Sequence, residues 1–177
     1  TFSSKCIISN FSIQIKRGDR IGIVGPNGIG KTTLIKILLG EVQPDSGEIK
    51  LGSNLIIAKF DQMREQLNLE NSLLQNLTDD PNIQSTSTAG QILVRGKPKH
   101  VAGYLKGFLF SETQLRSPVK SLSGGEKARL LLAKIMVKES NLLILDEPTN
   151  DLDLETLDLL QEVIAEYPGT VLLISHD

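Results

Sequence analysis

Apolar residues alternate with polar ones at Phe11, Ile13 and Ile15, the period-two pattern of a half-buried strand. Arg17-Gly18-Asp19 reads as a turn and Arg20 to Val24 as a short buried strand. Beyond a glycine-rich run, Leu34, Ile35, Leu38 and Leu39 sit at helical spacing, and Gly40 supplies a stop. Residues 48–51 and 55–60, separated by Gly52-Ser53-Asn54, predict a hairpin. Helical spacing over 65–77 precedes a polar, Ser/Thr-rich loop over 79–90, a basic stretch (Arg95, Lys97, Lys99, Lys106) and an apolar patch from Tyr104 to Phe110. A long helix is predicted over 126–137, a buried strand over 141–145, an acidic helix over 154–166 and a second buried strand over 170–174.

Strands alternating with helices around a mainly helical insertion imply an α/β fold: a mostly parallel core sheet with helices on its faces, an antiparallel β portion and a helical subdomain. The core then falls into two parts, 1–61 and 121–177, with the insertion at 62–120. No period of 20–50 residues repeats. The last strand has no helix after it, so a longer parent protein is expected.

Composition narrows the class. The chain has 177 residues, 40% hydrophobic and 23% charged, as expected of a globular domain. No apolar run approaches the ~18 residues that cross a bilayer, and no basic-then-apolar leader opens the chain. A lone cysteine, Cys6, excludes an intrachain disulfide and a four-cysteine zinc site, and two histidines, His100 and His176, argue against a histidine-rich metal centre. The expectation is a soluble, cytoplasmic protein. Charge is unevenly placed: residues 91–139 hold ten basic and three acidic residues, whereas 140–177 hold nine acidic residues and no Lys or Arg. One region suits polyanions and another cations.

The run Gly25-Pro26-Asn27-Gly28-Ile29-Gly30-Lys31-Thr32-Thr33 follows a predicted strand and opens a predicted helix. Its G-x-x-x-x-G-K-[ST] spacing lets backbone N–H groups converge on phosphate oxygens, with Lys31 reaching the β- and γ-phosphates and the Thr32 hydroxyl available to Mg²⁺. The apolar strand before Asp146-Glu147 delivers two carboxylates to a sheet edge beside that loop. Asp146 suits the Mg²⁺ shell and Glu147 the orientation and deprotonation of an attacking water. No Asn-Lys-x-Asp element for reading guanine occurs, which favours ATP over GTP. Ser121-Leu122-Ser123-Gly124-Gly125-Glu126 is a second glycine-rich helix start.

Taken in order, the Gly25–Thr33 loop, Gln62, Leu122-Ser123-Gly124-Gly125-Glu126, Asp146-Glu147, Asn150-Asp151-Leu152-Asp153 and His176 resemble the motifs of ATP-binding-cassette ATPases over essentially the whole chain. The resemblance implies that Gln62 senses Mg²⁺ and the γ-phosphate, and that His176 hydrogen-bonds the γ-phosphate and positions the water. It also implies that Ser123, Gly124 and Gly125 close over a nucleotide held by the Gly25–Thr33 loop of a second, head-to-tail cassette. An adenine-stacking aromatic falls at or before Thr1, with Phe2 a poor substitute.

Asn150-Asp151 stands where transporter cassettes usually carry Ser-Ala, and resembles instead the ABC-F proteins; 94–105 and 142–153 are similar to the second of the two cassettes in such a protein. This implies a soluble ATPase with a ribosome or RNA partner, DNA as a further candidate and no membrane. The alternative is the nucleotide-binding subunit of an ABC membrane transporter. Lys97, Lys99, Lys106, Arg116 and Lys120 then either face nucleic-acid phosphates or form a solvated face. Tyr104, Phe108 and Phe110 are read as core and His100 as a surface residue. No acceptor site for a metabolic kinase is evident.

Overall fold

The computed structural model describes residues 7–60, 67–86, 88–148 and 152–176. In chain order these contain β1 (Arg20–Val24), α1 (Lys31–Leu38), β2 (Ile57–Lys59), α2 (Leu73–Thr78), β3 (Gln91–Val94), β4 (Lys97–His100), α3 (Val101–Lys106), α4 (Glu112–Leu115), α5 (Gly124–Val137), β5 (Leu142–Asp146), α6 (Leu154–Glu166) and β6 (Thr170–Ser175). Four strands make a parallel sheet in the order β1-β6-β5-β2, and β3 and β4 make a separate antiparallel pair.

The pleat of the central strands sorts the core into two layers. Leu143 and Leu145 of β5, with Val171 of β6, pack with Leu131, Leu159, Leu160 and Val163 of α5 and α6. Leu142, Ile144, Leu172 and Ile174 turn the other way, onto Ile35 and Leu39. Burial on both faces explains why β5 and β6 read as continuous apolar runs instead of alternating ones. Leu143 and Leu145 are fully buried, so truncating either to Ala is expected to cost about 2–5 kcal/mol.

Several elements differ from expectation. Residues 11–15 join no strand among the described residues, and Phe11 and Ile13 are about half exposed. Their alternation marks a face, but no strand among the described residues pairs with it. The predicted hairpin over 48–60 is absent: only Ile57–Lys59 is a strand, and it pairs in parallel with β5. The antiparallel portion lies instead at β3–β4, joined by Arg95-Gly96 with φ of 51° and 76°, the two left-handed positions of a tight hairpin turn. The helix expected over 65–77 starts only at Leu73. Asn76, 4% exposed, accepts from the Asn68 N–H and donates to the Asn68 and Ser72 carbonyls, holding 68–72 as a turn. Residues 65 and 66 lie outside the described residues.

That turn is bonded to a segment far along the chain. The N–H groups of Val119 and Lys120 donate to the carbonyls of Asn71 and Leu69 at 3.0 and 2.9 Å, and Lys120 Nζ meets Glu70 at 2.6 Å. Residues 69–71 are thus tied to 119–120, just before α5. Tyr104 donates to the Ala133 carbonyl of α5 at 2.8 Å, and Phe108 and Phe110 are buried, so this aromatic group is core. His100 is exposed at the end of β4.

Candidate functional site

Three adjacent parallel strands end at one edge and carry the site. Val24, the last residue of β1, is in register with Ser175, and Asp146, the last of β5, with Ile174. The next backbone groups continue the ladder: Gly25 N–H donates to the Ser175 carbonyl and Glu147 N–H to that of Ile174. The sheet thereby brings the Gly25–Thr33 loop, Asp146-Glu147 and His176 together, although they are far apart in sequence.

α1 starts without a side-chain cap. Its N-cap is Gly30 at φ 113°, a conformation an L side chain rarely adopts. The first-turn N–H groups are therefore left for an anion, with the helix's partial positive charge behind them. Lys31 is 8% exposed, and its Nζ donates to the Gly25 carbonyl at 2.6 Å and to the Pro26 carbonyl and Asn27 Oδ1 at 3.3 Å each. It lies 3.6 Å from Glu147 Oε1, while His176 Nδ1 lies 3.8 Å from Glu147 Oε2. Glu147 itself has φ 44°, a left-handed conformation that costs a non-glycine residue about 1–2 kcal/mol. Strain of this kind concentrates at functional positions.

Asn27, Gly28, Gly30, Lys31, Thr32, Thr33, Asp146 and Glu147 line a cleft of about 270 Å³. Ile29 of the same loop is exposed and is not among the residues lining the cleft. Within it the Thr32 hydroxyl donates to Asp146 Oδ2 at 3.4 Å. A hydroxyl and a carboxylate this close are hard oxygen donors suited to Mg²⁺. Among the described residues no three His, Cys, Asp or Glu side chains converge as a metal cage.

Ser123, Gly124 and Gly125 do not line this cleft. Ser123 caps α5 through a reciprocal pair: its hydroxyl accepts from Glu126 N–H at 3.2 Å, and Glu126 Oε2 accepts from Ser123 N–H at 2.7 Å. The Ser123 N–H bond, aided by Arg129 and Gln114, outweighs partial burial and holds the Glu126 carboxyl below its usual range. A Cβ on Gly125 would come within 3.2 Å of Asp153 Oδ2, so a glycine there lets the N-cap of α6 approach. The predicted helix start at 126 is thus two residues late, because Ser123 is the cap. Sequence reasoning passed over Gln114, which donates to Glu126, although the Ser-x-x-Gln and Ser-x-x-Glu spacings at 111–114 and 123–126 were visible as capping boxes. Gln62, Asn150, Asp151, Thr1 and Phe2 lie outside the described residues.

A doubly wound parallel sheet, a phosphate-type loop opening a helix and paired carboxylates at the neighbouring strand end define an ATP-binding-cassette ATPase domain. Residues 8–150 match the ABC transporter family, and the chain belongs to it. Within that family the chain is 51% identical over 175 residues to ATP-binding protein Uup of Escherichia coli (strain K12), covering 99% of this chain and 26% of that protein. It thus spans about a quarter of the length of such curated relatives. Among solved structures, it resembles cbiO1 from Clostridium perfringens, part of the ABC transporter complex cbiONQ, with a TM-score of 0.64 and 27% identity over 93% of this chain and 70% of that one. It also resembles the archaeal ribosome recycling factor solved with an archaeal ribosomal stalk protein, with a TM-score of 0.59 and 29% identity over 92% of this chain and 30% of that one. No helix among the described residues is long and apolar enough to cross a membrane.

Proposed function

We propose that this cassette binds and hydrolyses ATP as half of a head-to-tail pair, in a soluble, cytoplasmic protein of the ABC-F type. The pair's closing and opening would drive a conformational change on a ribosome or nucleic acid. One observation carries the reading: Lys31, Thr32, Asp146, Glu147 and His176 converge at one strand edge, while Ser123, Gly124 and Gly125 head a different helix outside that cleft. A second cassette must then supply its Ser123 to complete the site over Lys31. The 51% identity to Uup supports the ABC-F class, and the likeness to a ribosome recycling factor supports a ribosomal partner. The likeness to cbiO1 is what a shared cassette fold requires and does not favour a transporter.

Chemically, Lys31 and the N–H groups of the loop and of α1 bind the phosphates of ATP. Mg²⁺ bound with the nucleotide would be held by Thr32 and Asp146, with Gln62, and would neutralise phosphate charge. Glu147 orients the attacking water and takes its proton, and His176 fixes the geometry around it. Water adds to the γ-phosphorus as the ADP oxygen leaves, and release of the freed phosphate removes the charge that both halves contact, so that they separate.

Sedimentation of the full chain carrying Glu147→Gln, with and without ATP, tests this. ATP is expected to hold the two cassettes in a closed, more compact state, or to pair chains if only one cassette is present. A strictly monomeric single cassette with full activity overturns the shared-site reading.

A further inference from the structure

Two capping boxes interlock beside the proposed nucleotide seam. Ser111 caps α4 and Ser123 caps α5, each in reciprocal contact with its third helical residue, Gln114 and Glu126. Those two residues are also bonded to each other: Gln114 Nε2 donates to Glu126 Oε1. The orientation of the Gln114 amide is fixed by its other end. Its oxygen accepts from the Ser111 N–H and hydroxyl, both at 2.9 Å, so only the NH₂ group can face the carboxylate. Glu126 is then fully engaged. One oxygen takes Gln114, with Arg129 Nη2 at 4.0 Å, and the other takes the Ser123 N–H at 2.7 Å.

We infer that Gln114 is a positioning residue for the shared nucleotide site, acting through Glu126 on Ser123. Resting on the function proposed above, this makes α4 the element that sets where Ser123 is presented to the partner cassette's ATP. Without the Gln114 bond α5 would still form, because Ser123 still caps it and Leu130 to Val137 are buried along it, but the first turn would lose its outside anchor. The effect belongs in turnover, where the seam is closed, and not in the nucleotide-binding half formed by Lys31 and Thr32.

The test exchanges donor and acceptor. In the full chain, Gln114→Glu sets a carboxylate against Glu126, and adding Glu126→Gln restores the bond with its polarity reversed. The restored pair still accepts from Ser111 and from the Ser123 N–H. Gln114→Glu is expected to lower kcat about tenfold while KM for ATP changes less than about twofold, and the double variant to recover to within about threefold of wild type. Wild-type kcat in Gln114→Glu overturns the inference, and so does a double variant no faster than the single one. Ser123→Ala separates the two layers of reasoning. If it leaves kcat unchanged, the shared-site reading itself fails; if it lowers kcat while Gln114→Glu does not, only the role of Gln114 fails.

Discussion

The Lys31 ammonium lies 3.6 Å from the Glu147 carboxylate, so the group that would hold phosphate pairs with the group that would activate water. Lys31 also donates to two carbonyls and an amide oxygen of its own loop. An incoming triphosphate competes for that ammonium with stronger, charge-assisted bonds, and releases Glu147 toward the water. Lys31→Ala is therefore expected to weaken ATP binding about ten- to a hundredfold, the range that charged hydrogen bonds of about 1.5–3 kcal/mol imply. Titration with a fluorescent ATP analogue checks this, and an affinity within about threefold of wild type counts against contact between Lys31 and phosphate.

The residues gathered in the cleft were legible because each lies where local chemistry is unambiguous. A glycine run between strand and helix, and two acids ending an apolar strand, mark positions whatever the rest of the chain does. β5, α6 and β6 were legible for the same reason, being long or continuously apolar. What failed was pairing. Residues 55–60 have a strand's composition, but nothing local says that Ile57–Lys59 joins β5 in parallel and not 48–51 in a hairpin. At 91–100 the reverse holds: Lys97 and Lys99 stand out as charges, and only a single glycine marks the Arg95-Gly96 turn between the two strands. Contacts such as Gln114 with Glu126 are tertiary, and sequence shows only the two caps they join.

Asp80 is a second result that the sequence concealed. Its side chain is 7% exposed and meets Lys134 Nζ at 2.9 Å and Lys138 Nζ at 3.2 Å, pinning the loop after α2 to α5. Burial alone would raise its carboxyl, but the Lys134 hydrogen bond, the Asn82 N–H and the two positive charges outweigh it and bring the pKa from 3.8 to about 2. A carboxyl lowered by folding stabilises the protein above its unfolded pKa and loses that contribution as pH falls through the folded one. Stability should therefore decline between about pH 4 and pH 2, and Asp80→Asn should abolish this part of the acid dependence. At pH 7 Asp80→Asn is expected to cost about 3 kcal/mol, because Lys134, 2% exposed, loses its ionic partner. Urea unfolding across that pH range measures both effects, and parallel acid profiles for the two proteins would refute the assignment.

Gly169 sits where β1, α6 and β6 meet. A Cβ there would lie 2.4 Å from the Asn141 carbonyl oxygen and 2.7 Å from the Tyr167 ring. Its own carbonyl accepts from Arg20, whose guanidinium also reaches the carbonyls of Gly18, Ile164 and Tyr167. Backbone atoms cannot yield as a flexible side chain would, so Gly169→Ala is expected to destabilise by about 2 kcal/mol or more. Gly103, inside α3 with open space where a Cβ would stand, is the control: Gly103→Ala should stabilise by about 0.5–1 kcal/mol. Thermal melts of the two variants should move in opposite directions.

The basic block at 91–139 is less free than its ten positive charges suggest. Lys106 pairs with Glu112 and Lys120 with Glu70, Lys134 and Lys138 share Asp80, and Arg129 faces Glu126. Among the described residues, Arg95, Lys97, Lys99 and Arg116 are exposed cations outside these pairs, and Lys99 Nζ lies 5.9 Å from the centre of the Tyr104 ring. If the β4 face meets RNA, Lys97 and Lys99 carry the contact there. Each phosphate contact removed lowers the slope of log affinity against log salt by about 0.7–0.9, so Lys97→Glu with Lys99→Glu should reduce it by about 1.4–1.8. Affinity of the whole protein for ribosomes or RNA at physiological salt should fall about tenfold or more, whereas Lys106→Gln and Lys120→Gln should change it less, since their charges are already partly met. Filter binding over a salt series gives the slope directly. An unchanged slope in the Lys97, Lys99 variant would mean that β4 does not touch the polyanion, and that the charge surplus of this segment serves the packing around α5.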